Sequence, residues 1–313
     1  MLSVITPAYN EVLNLPALRV RLEAKLHELG VEWEWIIVDD GSTDGTFALV
    51  GQWAATERRI RGTRLSRNYG SHAALACGMK LAQGDAITLI AADLQDPPEI
   101  LGDLLARWRA GLKVVWAVPQ QRRRAGLRTL YYALLRRADG LAAQPLEGGD
   151  AVLIDRAVVA VLNAREERHS SLFARIRLAG FPQASVNYRK DARRNGRSGW
   201  TLRKKLKLAL DSLTDFDHAL VRGMTYFGVV IAVAGFALAL YVIVHAIGGE
   251  PPTGWSSIMV AILILGGGQM IFLGLLGEYA WRTLDETRRR PLYVVEASTD
   301  SEHADAPSVA GSP

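Results

Sequence analysis

The stretch 89–99 carries the residue types and the spacing best suited to chemistry. An apolar run at 86–92 leads into two carboxylates and an amide, Asp93, Gln95 and Asp96, and then a Pro-Pro pair. The pattern predicts a buried parallel strand whose carboxyl end opens into a turn, with a helix starting near the prolines. Ligands of open α/β sheets bind just outside such strand ends, so these oxygens could hold a cation or a phosphate-bearing ligand. Taken alone, the stretch fits a plain helix cap equally well.

Polar clusters also follow three other predicted strands, at 2–9, 35–38 and 62–66. The clusters are Pro7-Ala8-Tyr9-Asn10-Glu11, Asp39-Asp40-Gly41-Ser42 and Ser66-Arg67-Asn68-Tyr69-Gly70. Strands that alternate with helices form right-handed βαβ units, which cover both faces of a parallel sheet. The carboxyl ends of parallel strands lie at one edge, so we expect the four clusters to converge there. Four converging clusters indicate a ligand site far more strongly than one cluster does.

Composition narrows the class of protein. Of the 313 residues, 49% are hydrophobic and 22% are charged, and the mean hydropathy is +0.08. This combination predicts a soluble domain joined to membrane segments. The net charge of +5 comes from short basic segments, so we expect no nucleic-acid partner. With Cys77 as the one cysteine no internal disulfide can form, and the first strand starts without a signal peptide, so we expect a cytoplasmic domain.

Two long segments, 223–247 and 255–277, contain no Asp, Glu, Lys or Arg. Each exceeds the roughly 20 apolar residues that cross a bilayer. The loop between them, 248–254, has no Lys or Arg, whereas both outer flanks are basic, so the positive-inside rule places both ends in the cytoplasm. Glycines at 266–268 would let the second segment pack closely against another helix, within a hairpin or in a homo-oligomer.

Two other segments are strongly basic. Residues 122–137 interleave arginines with leucines and tyrosines, which is typical of an amphipathic helix on an anionic membrane surface. A solvated helix face of the globular domain is the alternative for this segment. Residues 189–207 form a dense basic stretch around the flexible Gly196-Arg197-Ser198-Gly199. Both segments could attract phosphate groups or lipid headgroups.

The four clusters in this order, followed by Gly149-Asp150, the basic loop and the two charge-free segments, resemble the family-2 glycosyltransferases of the GT-A fold. The closer likeness is to membrane-bound polyprenyl-phosphate glycosyltransferases, which include bactoprenol glucosyltransferases and dolichol-phosphate mannose synthases. The likeness covers about 2–295. It implies an α/β fold in which a Rossmann-like, mostly parallel sheet domain is followed by an α-helical transmembrane hairpin.

The resemblance divides the chain into five parts. They are a nucleotide-sugar-binding core (1–118), an acceptor side with basic juxtamembrane helices and loop (119–218), the hairpin (219–282), a cytoplasmic return segment (283–296) and a disordered tail (297–313). The two spans of the hairpin are expected at about 223–247 and 255–279.

The resemblance also assigns roles to the clusters. The residues that would bind the nucleotide are Pro7, Ala8, Tyr9, Glu11, Asp39, Asp40, Arg67 and Asn68. Tyr9 would stack on the base, Asp40 would accept a hydrogen bond from a base N–H, and Asp39 either binds the nucleotide or caps its own turn. Asp93 would hold Mg²⁺ or Mn²⁺ on the pyrophosphate, together with Gln95, because hard oxygen ligands suit these ions.

The remaining assignments concern transfer to the acceptor. Asp93, Asp150 and Arg197 are the expected catalytic residues, and Asp150 would lie beside the sugar. The residues expected to bind the acceptor phosphate are Arg122, Arg189, Arg193, Arg194 and Ser198. General attraction to a membrane explains any single one of these arginines equally well. A polyprenyl phosphate has a second pKa near ~6, so it is largely ionised at neutral pH and hardly needs a general base.

The implied activity is inverting transfer of a sugar from a nucleotide sugar, with UDP favoured, to undecaprenyl phosphate at the cytoplasmic face of a bacterial inner membrane. The resemblance also implies that the chain assembles into a homo-oligomer, specifically a tetramer. Three departures from the family pattern support an alternative, a catalytically weak nucleotide-sugar-binding scaffold or regulator. Ala91 stands where the family has the first Asp of Asp-x-Asp, Ala151-Val152 replaces Phe-Arg, and Ser198-Gly199-Trp200 replaces Ser-Lys-Tyr.

Because Ala91 leaves Asp93 as the one carboxylate of that pair, we predict weaker metal dependence than an Asp-x-Asp enzyme has. When Mg²⁺ or Mn²⁺ is titrated into a transfer assay, the activity of the natural chain should saturate at a higher metal concentration than that of Ala91→Asp. Tight and obligatory metal binding by the natural chain would contradict this prediction.

Overall fold

The computed structural model describes residues 1–120, 151–164, 172–191, 254–288 and 290–300, together with single helical positions between 228 and 244. The chain divides into two compact units. The first consists of 1–199 and 291–313, and the second of 200–290.

The first unit contains eight described strands and six described helices. The strands are β1 (Leu2–Ala8), β2 (Trp33–Asp39), β3 (Ile60–Leu65), β4 (Ala86–Leu89), β5 (Val114–Pro119), β6 (Ala151–Asp155), β7 (Gln183–Tyr188) and β8 (Val295–Ser298). The helices are α1 (Leu15–Leu29), α2 (Thr46–Thr56), α3 (Ser71–Leu81), α4 (Leu101–Arg109), α5 (Arg156–Ala164) and α6 (Leu172–Leu178). A short 3₁₀ turn, Pro98–Ile100, leads into α4.

All eight strands join one sheet in the order β7-β5-β6-β4-β1-β2-β3-β8. Strand β1 lies between β2 and β4 and is parallel to both, β2 is parallel to β3, and β5 is parallel to β7. Strand β6 is antiparallel to both of its neighbours, and β8 runs antiparallel along β3. The predicted mostly parallel α/β sheet is therefore confirmed.

Two buried clusters cover the two faces of the sheet. Alternation along β1 sends Val4 to one cluster and the next residue, Ile5, to the other. Helices α1 and α4 pack on the Val4 face, and α3, α5 and α6 pack on the Ile5 face. In α1 the buried leucines are Leu15, Leu18, Leu22 and Leu26. Their helical spacing forms one apolar stripe, and burial of each leucine contributes about 1.5–3 kcal/mol.

Strand β4 is shorter than predicted, because it ends at Leu89 and not at Ala92. Its register with β1 ends at the pair Ile5–Leu89, and its register with β6 ends at the pair Leu89–Val152. Beyond that point the chain leaves the sheet and passes through Leu94, which has a left-handed backbone (φ 60°). The apolar run thus continues as a buried loop, which the hydrophobic pattern alone does not distinguish from a strand.

The boundary of the predicted disordered tail, at residue 297, is wrong. Strand β8 extends to Ser298, and the backbone N–H of Thr299 donates to the carbonyl of Gly62. Asp300 then forms an ion pair of 2.5 Å with Arg61. This polar segment has no hydrophobic pattern to reveal it, because pairing with the exposed edge of β3 is what orders it. The rest of the predicted tail lies outside the described residues.

The second unit contains the 33-residue helix α7 (Trp255–Thr287), which includes the second predicted span. Several of its large apolar side chains are exposed, among them Ile258, Ile262 and Met270. Across the residues that the structure describes, no helix combines the length and the apolar character needed to cross a bilayer. The transmembrane hairpin is therefore not confirmed, and most of its first predicted span, 223–247, lies outside the described residues.

Cys77 provides a test of the packing between α3 and the sheet. Its side chain is buried, and burial raises the pKa of the thiol to about 12. Since the thiolate is the reactive form, we predict that iodoacetamide at pH 8 labels the native chain at least ~100-fold more slowly than an unfolded one. Mass spectrometry of samples with and without guanidinium measures this ratio. Equal labelling rates in the two samples would contradict the packing described here.

Candidate functional site

The loops that follow β1, β2 and β3 meet at one edge of the sheet, as the sequence predicts. In the register of these strands, Ala8 lies beside Asp39, and Asp39 lies beside Arg64. The polar residues at the carboxyl ends of the three strands therefore come together because the strands are parallel neighbours. The turn that follows β4 starts from the strand on the other side of β1.

Hydrogen bonds fix the loop after β1 to the loop after β2. The backbone N–H of Asn10 donates to Ser42 Oγ (2.9 Å), and Asn10 Oδ1 accepts the backbone N–H of Thr43 (2.9 Å). The backbone N–H of Asp40 donates to the carbonyl of Ala8 (2.8 Å). Asn10 has a left-handed backbone (φ 58°), a conformation that Asn tolerates better than most residues. These bonds hold the first two loops in one fixed arrangement.

The carboxylate of Asp40 fixes the third loop to the second. Its Oδ1 accepts the backbone N–H of Tyr69 (2.7 Å), and its Oδ2 accepts that of Gly70 (2.8 Å). Burial raises the pKa of Asp40, and the charge of Asp39 adds to this effect, although the two backbone hydrogen bonds oppose it. The sequence assigned Asp40 to a base N–H, whereas the structure uses both of its oxygens to hold the loop after β3.

Asp39 caps its own turn with one oxygen, which is one of the two roles predicted for it. Asp39 Oδ1 accepts the backbone N–H of Ser42 at 3.0 Å. Asp39 Oδ2 is buried and has no hydrogen-bond partner within the described part of the chain. Nε of Arg64 lies 3.8 Å from this oxygen. A buried carboxylate oxygen without a donor is unfavourable, so this atom is suited to accept a hydrogen bond from a ligand.

Gly41 allows the second and third loops to touch. Its backbone is left-handed (φ 74°), and a Cβ at this position would lie 2.7 Å from the carbonyl carbon of Arg67. Around this contact the side chains of Tyr9, Arg67 and Asn68 are exposed. The guanidinium of Arg67 lies 4.1 Å from the ring centre of Tyr69. Exposed planar groups beside an unpartnered acceptor suit a flat, hydrogen-bonding ligand such as a nucleobase.

In the acidic turn after β4, the three residues that the sequence analysis grouped together lie in different environments. Asp93 and Gln95 are half-buried, and Asp93 Oδ1 accepts the backbone N–H of Gln95 at 3.2 Å. Asp96 is instead buried, accepts the hydroxyl of Tyr188, and lies 4.0 Å from the ammonium of Lys190. Oδ1 of Asp96 is thus engaged by Tyr188 of β7, and a ligand role of Asp96 stays a prediction. Among the described residues no group of three or more His, Cys, Asp or Glu side chains could hold a metal ion.

The chain after β7 packs on this acidic turn, a feature that the sequence does not reveal. The backbone N–H of Asp191 donates to the carbonyl of Gln95 (3.0 Å). Arg21 of α1 pairs with Asp191 at 3.0 Å and with Glu99 at 2.7 Å. The start of the predicted basic loop is thus fixed beside the turn that carries Asp93.

The remaining predicted residues divide into two groups. Pro7 and Ala8 end β1, Glu11 follows in the first loop, and Arg189 is exposed directly after β7. The predicted residues that lie outside the described part of the chain are Arg122, Asp150, Arg193, Arg194, Arg197 and Ser198. Their roles stay predictions.

Comparison with known proteins identifies relatives of this chain. The family model described as Glycosyl transferase family 2 matches residues 3–144. An uncharacterized glycosyltransferase of Synechocystis sp. is 36% identical over 300 residues, covering 94% of each chain. A prophage bactoprenol glucosyl transferase homolog of Escherichia coli is 31% identical, covering 94% of this chain and 98% of that protein. The bactoprenol glucosyl transferase of Shigella phage SfII is 30% identical, covering 95% and 98%.

Among solved structures, one similar protein is glucosyl-3-phosphoglycerate synthase from Mycobacterium tuberculosis, in complex with Mn²⁺, uridine diphosphate and phosphoglyceric acid. It is 22% identical, and the match covers 69% of this chain and 78% of that chain with a TM-score of 0.49.

Two glycines of the second loop test how closely it contacts the third. Gly41 and Gly45 both have positive φ, but a Cβ on Gly45 meets no atom within 4 Å. We predict that Gly45→Ala lowers the free energy of unfolding by about 1 kcal/mol and Gly41→Ala by about 2–4 kcal/mol, because the second also forces the loops apart. Thermal unfolding of both variants in the same detergent measures the difference. Equal losses would mean that the loops do not touch at Gly41.

Proposed function

The chain belongs to glycosyltransferase family 2, and we propose that it transfers a sugar, with inversion, from a UDP-sugar to a polyprenyl phosphate at the cytoplasmic face of a bacterial membrane. Its near full-length similarity to proteins named bactoprenol glucosyl transferases supports the lipid acceptor. The structural observation that carries the proposal is the edge where Asn10 and Asp40 hold three loops together beside Asp39, whose Oδ2 has no donor within the described residues.

The donor nucleotide is proposed to bind at this edge. The ring of Tyr9 is 47% exposed and is available to stack on the base. Oδ2 of Asp39, which has no donor among the described residues, would accept the N3–H of uracil, whereas both oxygens of Asp40 hold the third loop. The exposed Arg67 and Asn68, on the loop that Asp40 holds, would contact the ribose or the phosphates.

Asp93 and Gln95 would hold a divalent cation beside the pyrophosphate. A carboxylate and an amide on one short turn offer hard oxygen ligands, which fit Mg²⁺ or Mn²⁺. With one carboxylate available, such an ion would keep water and pyrophosphate oxygens as its other ligands. When bound, it would stabilise the charge on the departing nucleoside diphosphate.

In the proposed reaction an oxygen of the acceptor phosphate forms a bond to the anomeric carbon of the sugar. The bond from that carbon to the β-phosphate oxygen of the donor breaks, and its electron pair leaves with the nucleoside diphosphate. The acceptor phosphate is largely ionised at neutral pH, so the chain has to position it and not to deprotonate it. Arg189, exposed where the basic loop begins beside the acidic turn, would attract that phosphate.

Membrane association is part of the same proposal. Residues 255–277 of α7 contain no charged side chain, and large apolar side chains such as Leu265, Leu273 and Leu276 are exposed. An exposed apolar surface of this kind is suited to a lipid environment. We propose that the 219–282 segment holds the first unit at the membrane where its acceptor resides. Assembly into a homo-oligomer also stays a proposal.

One observation favours a second function, a nucleotide-sugar-binding scaffold or regulator with little turnover. Ala91 removes a carboxylate from the turn that carries Asp93. Binding of UDP without any transfer, with transfer restored in Ala91→Asp, would establish this second function in place of the first.

The proposal is tested by incubating the purified full chain in detergent with undecaprenyl phosphate, a panel of nucleotide sugars, and Mg²⁺ or Mn²⁺. We predict that a UDP-sugar yields one product, the sugar linked to undecaprenyl phosphate, which is extracted into organic solvent with the lipid. Asp93→Asn should lower kcat/KM by about 100-fold or more, because charge stabilisation of the leaving group is lost.

Asp103→Asn is the matched control, since Asp103 is an exposed carboxylate on α4 and should leave the rate unchanged. Absence of product from every donor, with either metal ion, would rule out the proposed transfer.

A further inference from the structure

We propose that Tyr188 is a positioning residue for the acceptor, which fixes the start of the acceptor-side chain against the turn that carries Asp93. It acts through its hydroxyl group on the buried carboxylate of Asp96. The inference rests on the proposed function, because it takes the acceptor phosphate to bind beside that turn. It extends the proposed function by naming a residue to which the sequence motifs assign no role.

Tyr188 lies where both basic segments of the chain leave the sheet. It is the last residue of β7 and the register partner of Pro119, the last residue of β5. Its carbonyl accepts the backbone N–H of Gln120 at 2.8 Å. The chain continues from Gln120 into the basic segment 122–137, and from Tyr188 into the basic segment 189–207. Most of both segments lies outside the described residues, but both start beside this one residue.

The side chain of Tyr188 connects this junction to the acidic turn. Its hydroxyl donates to Oδ1 of Asp96, and both residues are buried. Its ring belongs to the same apolar cluster as Ala92 and Leu94, the two neighbours of Asp93 in the chain. A buried polar group that loses its hydrogen-bond partner pays the full cost of its desolvation, so this contact holds the turn and the end of β7 firmly together.

Contacts of the next residues keep the chain on the same turn. The backbone N–H of Asp191 donates to the carbonyl of Gln95 at 3.0 Å. The ammonium of Lys190 lies 4.0 Å from the carboxylate of Asp96. Arg189, which directly precedes these contacts, is exposed. An exposed cation is thereby held beside the turn proposed to hold the pyrophosphate and its metal ion, where the attacking phosphate has to be placed.

Transfer to this acceptor depends on where the protein holds it. A phosphate monoester is largely ionised at neutral pH, so its oxygen needs positioning, and a misplacement of about 1 Å can cost about 100-fold in rate. Loss of the Tyr188 hydroxyl would loosen the acceptor-side chain at its start. The donor loops would keep their own hydrogen bonds, which Asn10 and Asp40 make. We therefore expect an effect on the acceptor and none on binding of the donor nucleotide.

The test compares Tyr188→Phe with the natural full chain in detergent. Transfer to undecaprenyl phosphate is measured with the UDP-sugar that the donor panel identifies, and binding of UDP is measured by isothermal titration. We expect Tyr188→Phe to lower kcat/KM for undecaprenyl phosphate by about tenfold, while the Kd of UDP stays within about twofold. A purely structural role of the hydroxyl does not predict this difference between acceptor and donor.

Trp108→Phe is the matched control, because it also removes an aromatic donor from a buried carboxylate. The indole N–H of Trp108 donates to Asp155 at 2.8 Å. Asp155 is the register partner of Ala86, the first residue of β4, and so lies at the opposite end of that strand from the acidic turn. This variant should lower the melting temperature and leave kcat/KM for the acceptor unchanged.

Asp96→Asn tests the hydrogen bond itself. Its amide oxygen can still accept the hydroxyl of Tyr188, so this variant should keep at least about a third of kcat/KM for the acceptor. A loss of about tenfold would assign the effect to the charge of Asp96 and overturn the inference.

An unchanged kcat/KM in Tyr188→Phe, or a parallel loss of UDP affinity, would overturn this inference and leave the proposed function standing. If Tyr188→Phe does not fold, its combination with Asp96→Leu decides, because that variant removes the buried carboxylate together with its donor. A loss of about tenfold in that variant supports the inference, and an unchanged value overturns it. Absence of transfer from every UDP-sugar by the natural chain would overturn both the inference and the proposed function.

Discussion

The site depends on one buried carboxylate, that of Asp40, and on the two backbone N–H groups that it binds. Burial of a charged group is strongly unfavourable unless hydrogen bonds compensate for it, and the N–H groups of Tyr69 and Gly70 provide that compensation. The same two hydrogen bonds fix the third loop beside the second. Gly41 lets the two loops approach closely, and Arg67 is thereby placed at the edge of the sheet.

The hydrogen bonds of Asp40 also explain why the two adjacent aspartates have different roles. Asp40 is used to hold the third loop, whereas Oδ2 of Asp39 is a buried acceptor at the edge without a donor among the described residues. Nε of Arg64, on the next strand, lies 3.8 Å from that oxygen. The carboxyl-terminal strand β8 reaches the same group through Glu296. Electrostatic pairing thus extends across three adjacent strands, from β2 to β8.

Much of the fold follows from local patterns in the sequence. Alternation of short apolar runs with helical periodicity predicts the parallel sheet, and polar clusters at strand ends predict where the loops converge. The other features depend on contacts between distant residues. Tyr188 and Asp96 are 92 positions apart, and Arg21 and Asp191 are 170 apart. No spacing rule links such residues, and nothing local distinguishes the role of Asp39 from that of Asp40.

The most direct test of this account is an experimental structure of the full chain with UDP and Mn²⁺ bound. The account predicts that the base lies against Tyr9, with its N3–H on Asp39 Oδ2, and that the pyrophosphate lies beside Asp93. It also predicts that Asp40 keeps its two backbone hydrogen bonds. A nucleotide bound away from the loops that follow β1, β2 and β3, or a base that leaves Asp39 without a donor, would contradict it.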